Sequence, residues 1–108
     1  MNRNPHYSAL APSVLGLANF RLENYAESLT TYNLSLRINP SLIQGNTYKA
    51  VVLYRMGSIG DAIFQADELY TLHPDFDVQV WVARQPFKDK SIVKGMLDDL
   101  IAAGVQEK

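Results

Sequence analysis

Residues 39–74, NPSLIQGNTYKAVVLYRMGSIGDAIFQADELYTLHP, start and finish on the same punctuation, Asn39-Pro40 and His73-Pro74. The two prolines lie 34 residues apart, and a third pair, Asn4-Pro5, precedes the first by 35. A proline disfavours the α region at the residue before it, so Pro40 and Pro74 each end a run of helical pattern. Inside the stretch, Gly57-Ser58 supplies the permissive backbone for a turn, dividing it into two helices. A helix–turn–helix unit recurring at about 34 residues is the signature of a stacked helical array.

Working outward, the chain superimposes on itself at this spacing. Gly16 falls on Ala50, Phe20 on Tyr54, Leu22 on Met56, Tyr25 on Ile59, Leu29 on Ile63, Leu36 on Tyr70 and Ile38 on Leu72. Small residues recur where helices approach closely, and the large apolar ones read as the buried stripe, with Leu29 and Ile63 in the core. Asn24 and Ser58 are each followed three residues later by an acid, Glu27 and Asp61, the arrangement of an N-cap with a first-turn carboxylate. The first unit has Glu23 where the second has Gly57, so its turn needs Asn24 or another geometry. The pattern predicts helices over 9–22, 25–38, 42–56 and 59–72, with Pro12 in a first turn, where its missing N–H is tolerated.

Leu15, Gly16, Phe20, Tyr25, Leu29, Tyr32 and Pro40 resemble one tetratricopeptide repeat, and Ala50, Tyr54, Gly57, Ala62, Ile63 and Pro74 a second. Ser28 and Ser35 stand where that family has a small Ala, and Pro12 where it has an early aromatic. The resemblance implies an all-α fold, a tetratricopeptide-like α-α superhelix: repeats at 9–40 and 41–74, then a capping helical module at 75–108. Residues 1–8 read as the end of a preceding repeat or a linker, because Asn4-Pro5-His6-Tyr7 resembles a closing turn. On that reading the chain is the C-terminal piece of a longer protein.

From Asp75 the repeat fails. Asp75-Phe76-Asp77 leads into a short helical stretch, 78–85, carrying Trp81 and stopped by Pro86. Phe87-Lys88-Asp89 reads as a capping turn before a last helix over 90–103, with Ile92, Val93, Met96, Leu97, Leu100 and Ile101 as its stripe. Gly104 is its left-handed stop, with Val105 folding back on Leu100. Closing an array against water is the plainest reading of this module. More specifically, Pro74-Asp75-Phe76, Trp81, Pro86-Phe87-Lys88-Asp89 and Leu100-Ile101-Ala102-Ala103-Gly104-Val105 together resemble the C-terminal tetratricopeptide region of bacterial, rhizobial-type class III adenylate/guanylate cyclases. Winged-helix regulators carrying repeats end similarly. The resemblance implies a regulatory region whose catalytic or DNA-binding domain lies elsewhere.

Composition fits a folded domain and limits its chemistry. Apolar residues make up 47% and charged ones 19%, which argues against disorder, and a formal charge of −1 leaves no basic footprint for nucleic acid or an acidic membrane. There is no cysteine, which excludes disulfides and thiolate chemistry. The longest apolar run, residues 50–54, is far short of the roughly 20 residues that span a bilayer. The polar start lacks a signal-peptide core, so a cytoplasmic location is expected. His73, Asp75 and Asp77 can be drawn as a metal trio, but a His at a helix end complements the dipole and the aspartates suit the next helix start. Asp98-Asp99 are adjacent, point to different sides of a helix and read as a solvated face. Gly57-Ser58-Ile59-Gly60 lacks the Lys of a phosphate loop. No catalytic, cofactor or metal site is expected, and the chain reads as non-catalytic.

Function then falls to binding. The family resemblance implies that the first helix of each pair lines a concave groove, here with Ser13, Leu17, Phe20 and Arg21 beside Thr47, Val51, Tyr54 and Arg55. Several of these read equally well as packing between repeats, Leu17 and Val51 above all. Repeats that clamp the C-terminal carboxylate of chaperone peptides use Lys and Asn on this face, where this chain has Ser13 and Leu17. The expected partner is a protein or peptide, such as an amphipathic helix or an acidic-apolar segment. Leu10, Val14 and Leu17 on the first helix would also support a homo-oligomer.

Overall fold

The computed structural model describes residues 5–106, with side chains placed from residue 11 onward. It is all-helical, without strands among the described residues. Six helices follow in order: α1 (Pro5–Arg21), α2 (Tyr25–Ile38), α3 (Ile43–Arg55), α4 (Ile59–Leu72), α5 (Val78–Ala83) and α6 (Lys90–Ala102). Helices α1 and α2 form one packed hairpin and α3 and α4 a second. Helix α3 also packs against α2, α1 and α6.

The turns explain the boundaries. In the first hairpin Asn24 N–H reaches back to the Asn19 carbonyl (2.8 Å) and Glu23 N–H to Phe20 (3.0 Å). In the second, Ser58 N–H reaches Leu53 (2.9 Å) and Gly57 N–H reaches Tyr54 (3.1 Å). Both are the paired bonds of a Schellman stop, which requires a left-handed residue just past the helix. Gly57 takes it at φ 85, and Glu23 takes it at φ 62, the only described non-glycine residue with positive φ. The first turn therefore keeps the geometry of the second despite lacking its glycine. Gly104 repeats the stop at φ 108, with Val105 N–H on the Leu100 carbonyl and both side chains buried. Asn39 and His73, each before a proline, leave the helix at φ −137 and −136.

Three sequence expectations change. Helix α1 includes Pro5, where the end of a closing turn was expected (Asn4 lies outside the described residues), and Pro12 lies in its interior. Pro12 there removes one backbone bond, to the Ser8 carbonyl. Asn24 and Ser58 stand at the N-cap, but neither side chain makes a cap bond. Each residue also closes the preceding helix, at ψ near 70, outside the extended backbone that side-chain capping uses. The expected stripe is also displaced: Ile63 is 50% exposed and Leu22 71%, with Met56, Ile59 and Leu72 exposed too and Leu29 half-buried. The buried faces are Ser28, Thr31, Tyr32 and Ser35 on α2 and Ala62, Gln65, Ala66 and Leu69 on α4, again 34 residues apart. Close helix approach selects small residues around one large buried side chain on each helix, Tyr32 and Leu69.

One close approach is severe. A Cβ on Gly16 would lie 2.8 Å from the ring of the fully buried Tyr32, while Ser28 donates its hydroxyl proton to the Gly16 carbonyl (2.8 Å). The radius of gyration, 13.0 Å, equals that of a compact domain of about this length, so α5 and α6 fold back against the hairpins.

The displaced stripe is checkable by urea denaturation. Leu69→Ala, at a position with no exposure, is expected to cost about 2–5 kcal/mol. Ile63→Ala, half in solvent, is expected to cost well under ~1 kcal/mol. Equal losses would restore the stripe expected from the sequence.

Candidate binding face

The face shared by α1 and α3 is organised around Tyr48. Its ring stacks on Tyr32 (centroids 5.5 Å, 4° between planes) and meets Phe20 and Trp81 edge-on, each at 5.2 Å. Its hydroxyl donates to Gln85 Oε1 (2.9 Å), which also accepts from Gln44 Nε2 (3.0 Å). The Trp81 indole N–H donates to Gln44 Oε1 (3.2 Å), and Gln85 Nε2 donates to the Trp81 carbonyl (2.9 Å). These bonds form a loop fastening α5 to α3. Each polar atom taken from water there has a partner, as burial requires. Tyr32 is the exception: its buried hydroxyl has no partner among the described residues. Burial raises the pKa of both phenols, with the neighbouring Tyr48 adding to the rise at Tyr32.

Segment 84–89, between α5 and α6, lies across this face. Arg21 donates to the Pro86 carbonyl (2.6 Å), and its guanidinium stands 4.9 Å over the Phe87 ring. Phe87 meets Phe20 edge-on at 6.3 Å. Arg55 sits deeper, over Phe20 (5.0 Å) and Tyr25 (5.9 Å), paired with Asp99 of α6 and donating to the Tyr25 hydroxyl (3.2 Å). Burial disfavours its charge, but the bonds to Asp99 and Tyr25 outweigh that and its pKa lies above the ordinary value. Asp99 is thus committed to an ion pair, where a solvated face was expected, while Asp98 is exposed beside Lys94. Asp89 caps α6, its carboxylate held low by the hydroxyl and amide of Ser91.

Between segment 84–89 and the helix ends lies an open cleft of about 470 Å³, with Phe20, Tyr25 and Arg55 on one side and Phe87 and Ile92 on the other. Arg21, Lys88, Glu23 and Asp89 also line it, so neither sign of charge dominates.

Of the residues expected in the groove, the structure brings Phe20, Arg21 and Arg55 together at this cleft. Ser13, Thr47 and Val51 are buried, and Thr47 donates to the Ile43 carbonyl of its own helix (2.7 Å). Leu17 packs on the core, and Tyr54 is half-buried and also packs on it. Only Arg21 of the eight is exposed. Tyr25, Phe87 and Ile92 were not expected at the site. Their only sequence signal is the aromatic after Pro86, which reads equally well as a turn.

The arrangement can hold rings and main-chain carbonyls by cation–π contact and charge-assisted hydrogen bonds. His73 is remote, its Nε2 on the Ser41 carbonyl, and Asp77 caps α5. Among the described residues no three His, Asp or Glu side chains converge as a metal site. Nor is any described helix long and apolar enough to cross a membrane. Compared with known proteins, the chain matches no family model, no curated protein and no solved structure.

The phenols give a pH test. Both fold with raised pKa values, so the folded state holds their protons more tightly than the unfolded chain. That stability is complete below about pH 10, the ordinary phenol value, and is lost as pH rises beyond it. Tyr32→Phe removes an unpaired buried hydroxyl. It is expected to raise stability by about 1 kcal/mol at neutral pH and to flatten the alkaline loss, read from urea midpoints between pH 8 and 11.

Proposed function

We propose that the chain is a non-catalytic protein–protein interaction module, a tetratricopeptide-like superhelix of two repeats closed by α5 and α6. It would serve as the C-terminal regulatory region of a multidomain cytoplasmic signalling protein such as an adenylate/guanylate cyclase or a winged-helix regulator. The observation that carries this reading is the cleft beside Arg21. It offers aromatic surface, an exposed guanidinium and main-chain recognition, with no nucleophile–base pair among the residues that line it. Two hairpins with matching turns and buried positions at one 34-residue spacing support the repeat reading. A peptide or protein segment suits such a face better than nucleic acid or a membrane, given the balanced charge of its lining.

Arg21→Glu tests the site, since Arg21 is exposed while Arg55 is an internal tie to Asp99. A pull-down with domains of the parent protein is expected to lose its captured partner by about tenfold or more, with the helical circular-dichroism signal unchanged. Equal recovery by wild type and variant would remove this face from the binding function.

A second reading, a homodimerisation module, has its own observation. Helix α1 exposes Val14 (68%) and Leu15 (55%), with Leu22 (71%) just beyond its end. One repeat on, Tyr48 in the place of Val14 is buried, whereas Met56 in the place of Leu22 is exposed. The Leu10 side chain, expected in this patch, lies outside the described residues. Sedimentation is expected to show dimers at high concentration that Val14→Asp/Leu22→Asp converts to monomers. A wild-type monomer throughout would end this reading.

A further inference from the structure

We propose that Pro86-Phe87, between the anchored Gln85 and Asp89, is a built-in occupant of the α1–α3 face. The external partner is a segment bearing a Pro-aromatic pair in a tight turn, as Phe87 N–H on the Gln85 carbonyl makes here, which takes the place of Pro86-Phe87. The proposal rests on the interaction-module reading and names its partner class and its control.

The segment is bound as a peptide ligand is bound. Arg21 takes a main-chain carbonyl, which any chain presents, and covers an aromatic ring, which supplies selectivity. Pro86 has no N–H to leave unpaired on entering the face. Phe87 completes the pocket wall against Phe20. Gln85 and Asp89 are structural, the first tied to Tyr48 and the second capping α6, but Pro86, Phe87 and Lys88 between them contribute little to holding α5 and α6 in place. Those helices are fastened by Trp81 and Gln85 to Tyr48 and Gln44, by Asp99 to Arg55, and by the buried Met96 and Leu100. Phe87 is only half-buried, at the rim of the core between α5 and α6. The cleft of about 470 Å³ beside it gives a longer incoming segment room to continue past Tyr25 and Ile92.

Tethering sets the control. A short linker holds an internal ligand at an effective concentration of order millimolar, so an outside segment meets a face already partly filled. Its apparent affinity falls by the fraction of molecules in which the face is open.

The probe is the capped hexapeptide Arg-Gln-Pro-Phe-Lys-Asp, the chain's own residues 84–89, titrated into the full chain and followed by amide NMR shifts and by Trp81, the single tryptophan. Phe87→Ala is expected to bind it about tenfold tighter than wild type, with shifts at Phe20 and Arg21. Replacing the peptide's Phe by Ala, or adding Arg21→Glu to the chain, is expected to abolish binding. Equal affinity for wild type and Phe87→Ala, or binding indifferent to Arg21→Glu, overturns the proposal. Should Phe87→Ala lose helicity, Arg21→Ala in the otherwise native chain serves instead. Hydrogen exchange at the Phe87 amide is then expected to speed up at least several-fold while α3 and α6 are unchanged, and unaltered Phe87 exchange overturns the proposal. Capture of a partner through Arg21 without peptide binding by Phe87→Ala rejects the internal occupant but leaves the interaction-module reading. Peptide binding without any external partner rejects the displacing partner and that reading together, while the face's preference for its own segment remains.

Discussion

The ring and hydroxyl of Tyr48 join α3 to α1, α2, α5 and the segment that follows α5. The ring spans the junction between the two hairpins by stacking on Tyr32, and its edge contacts with Phe20 and Trp81 tie in α1 and α5. Aromatic pairs of this geometry are worth about 0.5–1.5 kcal/mol each beyond the area they bury. The stack exists only because Gly16 lets Tyr32 lie flat against the α1 backbone, so a missing side chain on one helix sets the position of a ring on another. The hydroxyl must then find a partner in a nearly dry place, and Gln85 provides it. A polar requirement at the centre thereby fixes where α5 ends and segment 84–89 begins.

The burial of equivalent positions shows what it means to be central. Val14 and Tyr48 are one repeat apart, yet Val14 is 68% exposed and Tyr48 not at all. Ala18 and Val52, and Ala11 and Gly45, divide the same way. Helix α3 is covered from both sides, by the first hairpin and by the returning α5–α6 module, whereas α1 is covered from one. The module thus gives the second hairpin the neighbour that another repeat would otherwise supply, which is the requirement on the end of any stacked array.

Helix limits were largely legible in the sequence, because prolines and left-handed stops act locally. The limits of α2 and α4 follow from Pro40, Pro74 and Gly57 alone, and α6 from Asp89 and Gly104. The buried stripe was less legible. A helix with Leu29 and Leu36 on one side, Ser28, Thr31 and Ser35 on the other and Tyr32 between them offers two adjacent faces. Hydrophobicity favours the first, while close approach to Gly16 and α3 selects the second. The site was least legible. Phe87 and Arg21 are 66 residues apart, and nothing in either neighbourhood marks the pair. Segment 84–89 turns through Arg84, Gln85 and Phe87 N–H bonds to nearby carbonyls, and where its side chains land is dictated by what they touch.

Arg21 and Arg55 show how position in the packing, rather than residue type, decides how firmly a cation is tied down. They occupy the same place in successive units, both stand over aromatic rings and both hydrogen-bond to the C-terminal module. Arg55, on the central helix, is enclosed enough that its charge needs a carboxylate partner, and Asp99 makes it a structural tie. Breaking such a tie leaves a charge without compensation, which is why it is poorly suited to exchanging partners. Arg21, on the outer helix, is solvated, so its bonds to a carbonyl and a ring carry a small net free energy and exchange readily. The repeat supplied the same cation twice, and the one-sided packing of α1 left only the first of them exposed.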